Sequence, residues 1–295
     1  MFKRYSLFLL TNILILLTVS LFSHFLGLDK FIEQRGINPK SILIFCLFWG
    51  FSGAFINLAL SRWLTKRLMK VTIINANTVI PEFQALIEAV HVLSKRAGLY
   101  KMPEVGIYDS DEINAFATGP SRNRSLVAIS TGLARRMNSD QIFGVLGHEI
   151  SHIANGDMVT MTLLQGVINS FVMFFSRILS SVITKNEQGQ NHYFFRYILT
   201  ITFELIFGIL GSLVVVAFSR HREFRADEGS CKIAGKENMI RALQGLMEQN
   251  FQSNNNVEKS GLSALKIYGK EGRFSNLFAS HPPLAERLNK LQKLP

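Results

Sequence analysis

The side chains best suited to chemistry lie together between Gly147 and Asp157, in the stretch GHEISHIANGD. On a helix, His148 and His152 differ by four residues, about 40° of rotation at 3.6 residues per turn, so both imidazoles leave one face and one metal ion can touch both. Glu149 stands about 100° round from His148. It is poorly placed to share that ligand position, but it can take a proton from a water held near the metal, which is the task of a general base. The bland alternative is an exposed polar helix face. The flanks argue against it: Ile142, Phe143, Leu146, Ile150 and Ile153 recur at helical spacing, Asn138 with Gln141 can form a capping box, and Asn155 with Gly156 supplies a stop.

A catalytic zinc takes three protein ligands and keeps one position open. A metzincin would place its third histidine six residues after the second, where this chain has Met158. A glutamate from another helix is the alternative. The segment SRHREFRADE, Ser219 to Glu228, offers Glu223, with Asp227 one turn later on the same face. A carboxylate there could hold a ligand histidine through its second ring nitrogen. His221 and Glu228 are competing ligands, and an arginine-rich helix also suits solvated ion pairs.

The elements that must carry these residues are partly membrane-bound. Of 295 residues 48% are hydrophobic, and the mean hydropathy is +0.21, high for a soluble chain. The apolar residues collect into four runs, about Leu7 to Leu26, Ser41 to Ser61, Met158 to Ile183 and Tyr197 to Ser219, each long enough for a membrane helix. The first is too long for a signal-peptide core. The net charge of +11 does not indicate nucleic-acid binding, because Lys3 and Arg4 precede the first run while Arg62, Lys66, Arg67 and Lys70 follow the second. That is a positive-inside pattern, and it puts the N-terminus and the residues from Arg62 onward in the cytoplasm. Arg177 and Glu204 each place one charge in an apolar run, where mutual pairing or snorkelling is favoured over a substrate or proton path. Cys46 and Cys231 have no disulfide-framework spacing and suit a reducing compartment.

Between the second and third runs the chain reads as soluble. Pro81 opens an amphipathic helix through Phe83, Leu86, Ile87, Val90 and Leu93 that Gly98 closes, and extended stretches follow at Val105 to Tyr108, Asn114 to Thr118 and Leu126 to Ser130. Lys185 to Arg196 is expected to be an exposed turn and Gln252 to Ser260 a surface loop or flexible segment. The fold expected is a mainly α integral membrane protein with a zincin-like α+β metalloprotease domain, about four hydrophobic helices and a small β-sheet. Its parts are an N-terminal transmembrane hairpin (1–70), a catalytic region with the HEISH helix (71–157), a second hydrophobic hairpin (158–219) and a C-terminal region supplying the third ligand (220–295). The third ligand then arrives only after that second hairpin.

Four motifs in this order, INAFATG at Ile113 to Gly119, GHEISHIANGD, SRHREFRADE and SHPPLAERL at Ser280 to Leu288, resemble the HtpX family of membrane-bound bacterial zinc metalloproteases, grouped with the CAAX prenyl endopeptidases among the gluzincins. The resemblance covers essentially the whole chain. It implies one catalytic Zn2+ held by His148, His152 and Glu223, Glu149 as base, and Asp227 behind a ligand histidine. It further implies an edge strand at Asn114, Ala115, Phe116 and Ala117 that aligns substrate, His281 at the oxyanion, and Arg287 tying its segment to the site. The implied setting is the bacterial inner membrane, with the catalytic region facing the cytoplasm and unfolded or damaged membrane proteins as substrates, in stress-related quality control. Nothing in the residues fixes an oligomeric state. An intramembrane protease fits less well, since polar residues flank HEISH on both sides, and a catalytically silent scaffold would have no use for Glu149.

Overall fold

Apolar length dictates helix in the second, third and fourth runs, and the computed structural model, which describes residues 39–75, 77–184, 193–259 and 282–294, shows each as one continuous helix. The expected run from Leu7 to Leu26, most of the Lys185–Arg196 turn, and His281 lie outside the described residues. In chain order the elements are α1 (Pro39–Leu68), β1 (Thr72–Ile73), α2 (Pro81–Arg96), β2 (Glu104–Tyr108), β3 (Ala115–Thr118), β4 (Leu126–Ser130), α3 (Thr131–Arg136) and α4 (Ser139–Asn155). There follow α5 (Asp157–Thr184), α6 (Tyr193–Ala234), α7 (Lys236–Lys259) and α8 (Leu284–Gln292). Among the described residues three helices, α1, α5 and α6, are long and apolar enough to cross a membrane.

Two compact units result. Among the described residues the apolar one includes 39–57, 161–184 and 193–218. There Ile42, Cys46, Val172 and Met173 form a small core, while Phe48, Phe171, Phe194 and Leu210 remain exposed, as lipid-facing residues are. A Cβ at Gly50 would collide with the Ser170 Oγ, so the absent side chain lets α1 and α5 approach closely. Arg177 Nη1 donates to Glu204 Oε1 at 2.9 Å, which bears out the expected pairing within the hairpin. Beside it, the hydroxyls of Ser180 and Thr200 lie 2.7 Å apart.

Among the described residues the second unit includes 58–75, 77–160, 219–259 and 282–294. Its sheet has the order β1-β2-β4-β3, with β2 and β4 parallel and the two outer strands antiparallel to their neighbours. Every residue of the central strand β4 is buried. One face of the sheet joins Val90 and Leu93 of α2 and Leu146, Ile150 and Ile153 of α4 in a continuous core. Burying each such side chain contributes about 1.5–3 kcal/mol. The predicted starts and stops of α2 and α4 are present: Pro81 opens α2, and Asn138 and Gln141 make the reciprocal capping box. Gly156 ends α4 at φ 70°, a left-handed conformation that only glycine adopts cheaply.

Two expectations are corrected and one element is added. Gln252 to Lys259 is not a loop but the last part of α7, because extending a helix already nucleated at Lys236 costs far less than starting one, even through Asn254, Asn255 and Asn256. Tyr193 to Arg196 is not turn but the first turn of α6. The strand β1 had no sequence signal, since two residues carry no periodicity, yet it pairs Thr72 with Ile107 and Ile73 with Gly106.

Candidate metal centre

Two helices and a turn bring the reactive groups together. His148 and His152 leave one face of α4, and both are buried. Glu223 is fully buried on α6, which runs 42 residues without a break from the fourth apolar run into SRHREFRADE. No proline interrupts it. At about 63 Å it is about twice the thickness of a hydrocarbon core, longer than one crossing needs. Glycines set how closely α4 and α6 approach: a Cβ on Gly147 would meet Ser230 Oγ at 2.6 Å and Ala234 Cβ at 2.7 Å, and one on Gly229 would meet Ser151 Oγ at 2.7 Å. Ser230 Oγ also donates to the Gly144 carbonyl at 2.9 Å, tying the two helices directly.

The three ligand atoms converge. His148 Nε2 lies 3.1 Å from His152 Nε2, and each lies 3.4 Å from an oxygen of Glu223. Ligands about 2.1 Å from a tetrahedral metal are separated by about 3.4 Å, so these spacings match one bound ion. The outer nitrogens decide the tautomers. His148 Nδ1 lies 2.8 Å from Asp227 Oδ1 and His152 Nδ1 lies 2.6 Å from Asp157 Oδ2; a carboxylate only accepts, so both Nδ1 atoms carry hydrogen and donate. The Nε2 atoms of both rings and the Glu223 carboxylate therefore face one point, an arrangement that suits a cation there, whether a metal ion or the proton of His148.

Charge at the site is balanced by arginine. Arg287, brought by α8, donates from Nε to Asp227 Oδ2 at 2.8 Å and from Nη2 to Asp227 Oδ1 at 2.6 Å. Leu291 and Leu288 of α8 pack on Met239 and Leu243 of α7, and this apolar contact holds Arg287 in place. Burial of Arg287 favours its neutral form, but Asp227 more than offsets that and keeps it charged. His148 behaves likewise: burial pulls its pKa down, hydrogen bonds to Asp227 and Glu223 outweigh that pull, Arg287 opposes them, and the result is pushed up from 6.5 to about 9. Glu149 is half-buried while the two histidines beside it are buried.

Strand β3 is an outer strand of the sheet, and α4 packs against it. The Ser130 N–H donates to the Asn114 carbonyl, which makes Asn114 and Ser130 a hydrogen-bonded pair, so by antiparallel alternation Phe116 is bonded to β4 as well. The N–H and C=O groups of Ala115 and Ala117 then point to the outer edge, which no other strand covers among the described residues. The side chains of Asn114 and Phe116 are used on the far face, against Tyr108: Asn114 Nδ2 donates to its hydroxyl at 2.7 Å, and the Phe116 ring lies 5.5 Å from its ring. Of the residues singled out in the sequence, His148, Glu149, His152, Glu223, Asp227 and Arg287 thus share one locale. Asp157, which holds His152 from behind, was not among them.

Residues 81–294 match Peptidase family M48. The chain is 46% identical over 297 residues to a Protease HtpX homolog of Bacillus licheniformis, covering 98% of this chain and 99% of that one. It is 47% identical over 299 residues to the Protease HtpX homolog of Bacillus subtilis, covering 99% of each. Protease HtpX of Thioalkalivibrio sulfidiphilus is 44% identical over 299 residues, again covering 99% of each. The crystal structure of S. mikatae Ste24p superposes with a TM-score of 0.61 at 20% identity, a likeness of fold that covers 96% of this chain and 65% of that one. Two histidines and a glutamate converging on one point beside a half-buried glutamate, the third of them on a helix continuous with an apolar span, accord with that ancestry: the chain belongs to Peptidase family M48 as a membrane metalloprotease of the HtpX group.

Proposed function

We propose that the protein is a zinc endopeptidase in which His148, His152 and Glu223 hold the metal and Glu149 is the general base. The observation that carries this reading is the 3.1–3.4 Å spacing of the three ligand atoms, each histidine being held from behind by a carboxylate. Zinc bound there would polarise the scissile carbonyl and lower the pKa of the attacking water to about 7. Glu149 takes the proton from that water and delivers it to the leaving amine. Asp227, fixed by Arg287, keeps His148 in its ligating tautomer. Ala115 and Ala117 align an extended substrate by backbone pairing, which reads no side chains and supports broad specificity. His281, three residues before α8, supplies a donor to the developing oxyanion.

Backbone recognition of this kind favours chains that are already unfolded. Together with the apolar helices it supports misfolded or damaged membrane proteins as substrates, in quality control under stress. The basic residues around the first two apolar runs support a bacterial inner-membrane location with catalysis on the cytoplasmic side. The segments 1–70 and 158–219 serve as membrane hairpins, and 71–157 and 220–295 as the two halves of the catalytic part.

The test is Glu149→Gln. The variant is expected to bind zinc like the parent and to lose at least about a thousandfold of its chelator-sensitive cleavage of casein. Cleavage at the parental rate would remove Glu149 from the mechanism.

A further inference from the structure

The second carboxylate of the site is carried by Asp157, which is the first residue of α5 and only 1% exposed. The left-handed turn at Gly156 brings it back onto the helix that has just ended, so that Oδ2 lies 2.6 Å from His152 Nδ1. An acid in the first turn of a helix ordinarily serves the helix dipole. Here the two oxygens go elsewhere: Oδ2 to the imidazole, and Oδ1 to Arg225 Nη2 at 3.1 Å. Arg222 Nε approaches Oδ2 at 3.9 Å, while its Nη2 lies 3.6 Å from the Glu223 carboxylate.

We propose that Asp157 is a positioning residue for the metal site, anchored by Arg225 and flanked by Arg222 so that it fixes the ring orientation and tautomer of His152. A buried carboxylate is costly without compensating charge, and two guanidinium groups from α6 supply it. These arginines flank Glu223 on the same helix. One segment of α6 therefore presents the third ligand and clamps the carboxylate behind the second. The arrangement repeats, on separate elements, what Asp227 and Arg287 do for His148.

The inference rests on His152 being a ligand, and the test separates the two. Full-length protein in detergent is stripped of metal, zinc affinity is measured by competition with a chromogenic chelator, and unfolding of the metal-free form is followed by circular dichroism. Asp157→Asn is expected to weaken zinc binding 10–100-fold, the usual range for losing such a partner, with the metal-free unfolding temperature unchanged. Asp157→Glu is expected to recover part of the affinity. His152→Ala is expected to abolish high-affinity binding; if it does not, the ligand assignment itself fails. Parental affinity in Asp157→Asn, with His152→Ala inactive in binding, overturns the positioning role alone, as does a loss of affinity matched by an equal loss of metal-free stability in both Asp157 variants. If Asp157→Asn does not fold, Arg222→Met with Arg225→Met leaves the carboxylate in place and must still weaken zinc binding at least about fivefold; parental affinity in that double variant overturns the proposal.

Discussion

With His148 as a ligand, as proposed, a proton and the metal compete for its ring. In the metal-free protein its pKa is raised above the unfolded value of 6.5 to about 9, so the charged ring contributes stability that is fully present below pH 6.5 and is lost as pH rises through about 9. Metal binding requires the neutral ring and must displace that proton. Apparent zinc affinity is therefore expected to rise about tenfold per pH unit between pH 7 and 8.5 and to level off above pH 9. Chelator competition at these pH values measures it, and an affinity flat across that range would show that His148 carries no such proton. At this scale the sequence was readable where chemistry is local. The i, i+4 histidines and the neighbouring Glu149 declare themselves, and Glu223 with Asp227 repeats that spacing on another helix. Asp157 was not readable, because its role depends on a chain reversal at Gly156 and on arginines 65 and 68 residues away in sequence.

Helices α2 and α4 and the strands β2, β3 and β4 follow from periodicity and caps, which are properties of short windows. The order of the sheet and the short strand β1 do not, since they depend on pairing between distant residues. The closeness of α4 to α6 is likewise a tertiary fact, although it is written in Gly147 and Gly229 once the partners are known. Gly147→Ala gains about 1 kcal/mol of helix propensity but forces a Cβ to within 2.7 Å of Ser230 and Ala234, an overpacking that costs about 1–3 kcal/mol and moves Glu223 away from the histidines. Zinc affinity is expected to fall more than about tenfold, because ligation tolerates only about 0.2 Å. A variant that is more stable and binds zinc normally would show that the glycine sets nothing. The edge of β3 gives a second test. If Ala115 and Ala117 pair with substrate, replacing single substrate amides by esters should lower kcat/KM about fivefold at alternate positions only, the worth of one net hydrogen bond of about 1 kcal/mol. Equal effects at successive positions would exclude strand pairing.

For the whole molecule, composition announced the apolar runs, but it concealed that α6 does not stop where its composition changes. The helix continues past Ser219 because neither glycine nor proline stands there to end it. Composition also flagged Arg177 and Glu204 as expensive in lipid, and the structure joins them in an ion pair buried in the apolar unit. Breaking a buried pair from one side leaves a charge uncompensated, whereas removing both charges is often neutral. Arg177→Met alone is thus expected to cost about 3–5 kcal/mol, seen as a lower unfolding temperature in detergent and a poorer yield from membranes. Arg177→Met combined with Glu204→Met is expected to restore both. The double variant also separates structure from transport. If the pair serves only to let α5 and α6 meet, the restored protein cleaves casein at the parental rate. If it folds normally but has lost cleavage, the two charges belong to a substrate or proton path, and their pairing is a working part of the enzyme.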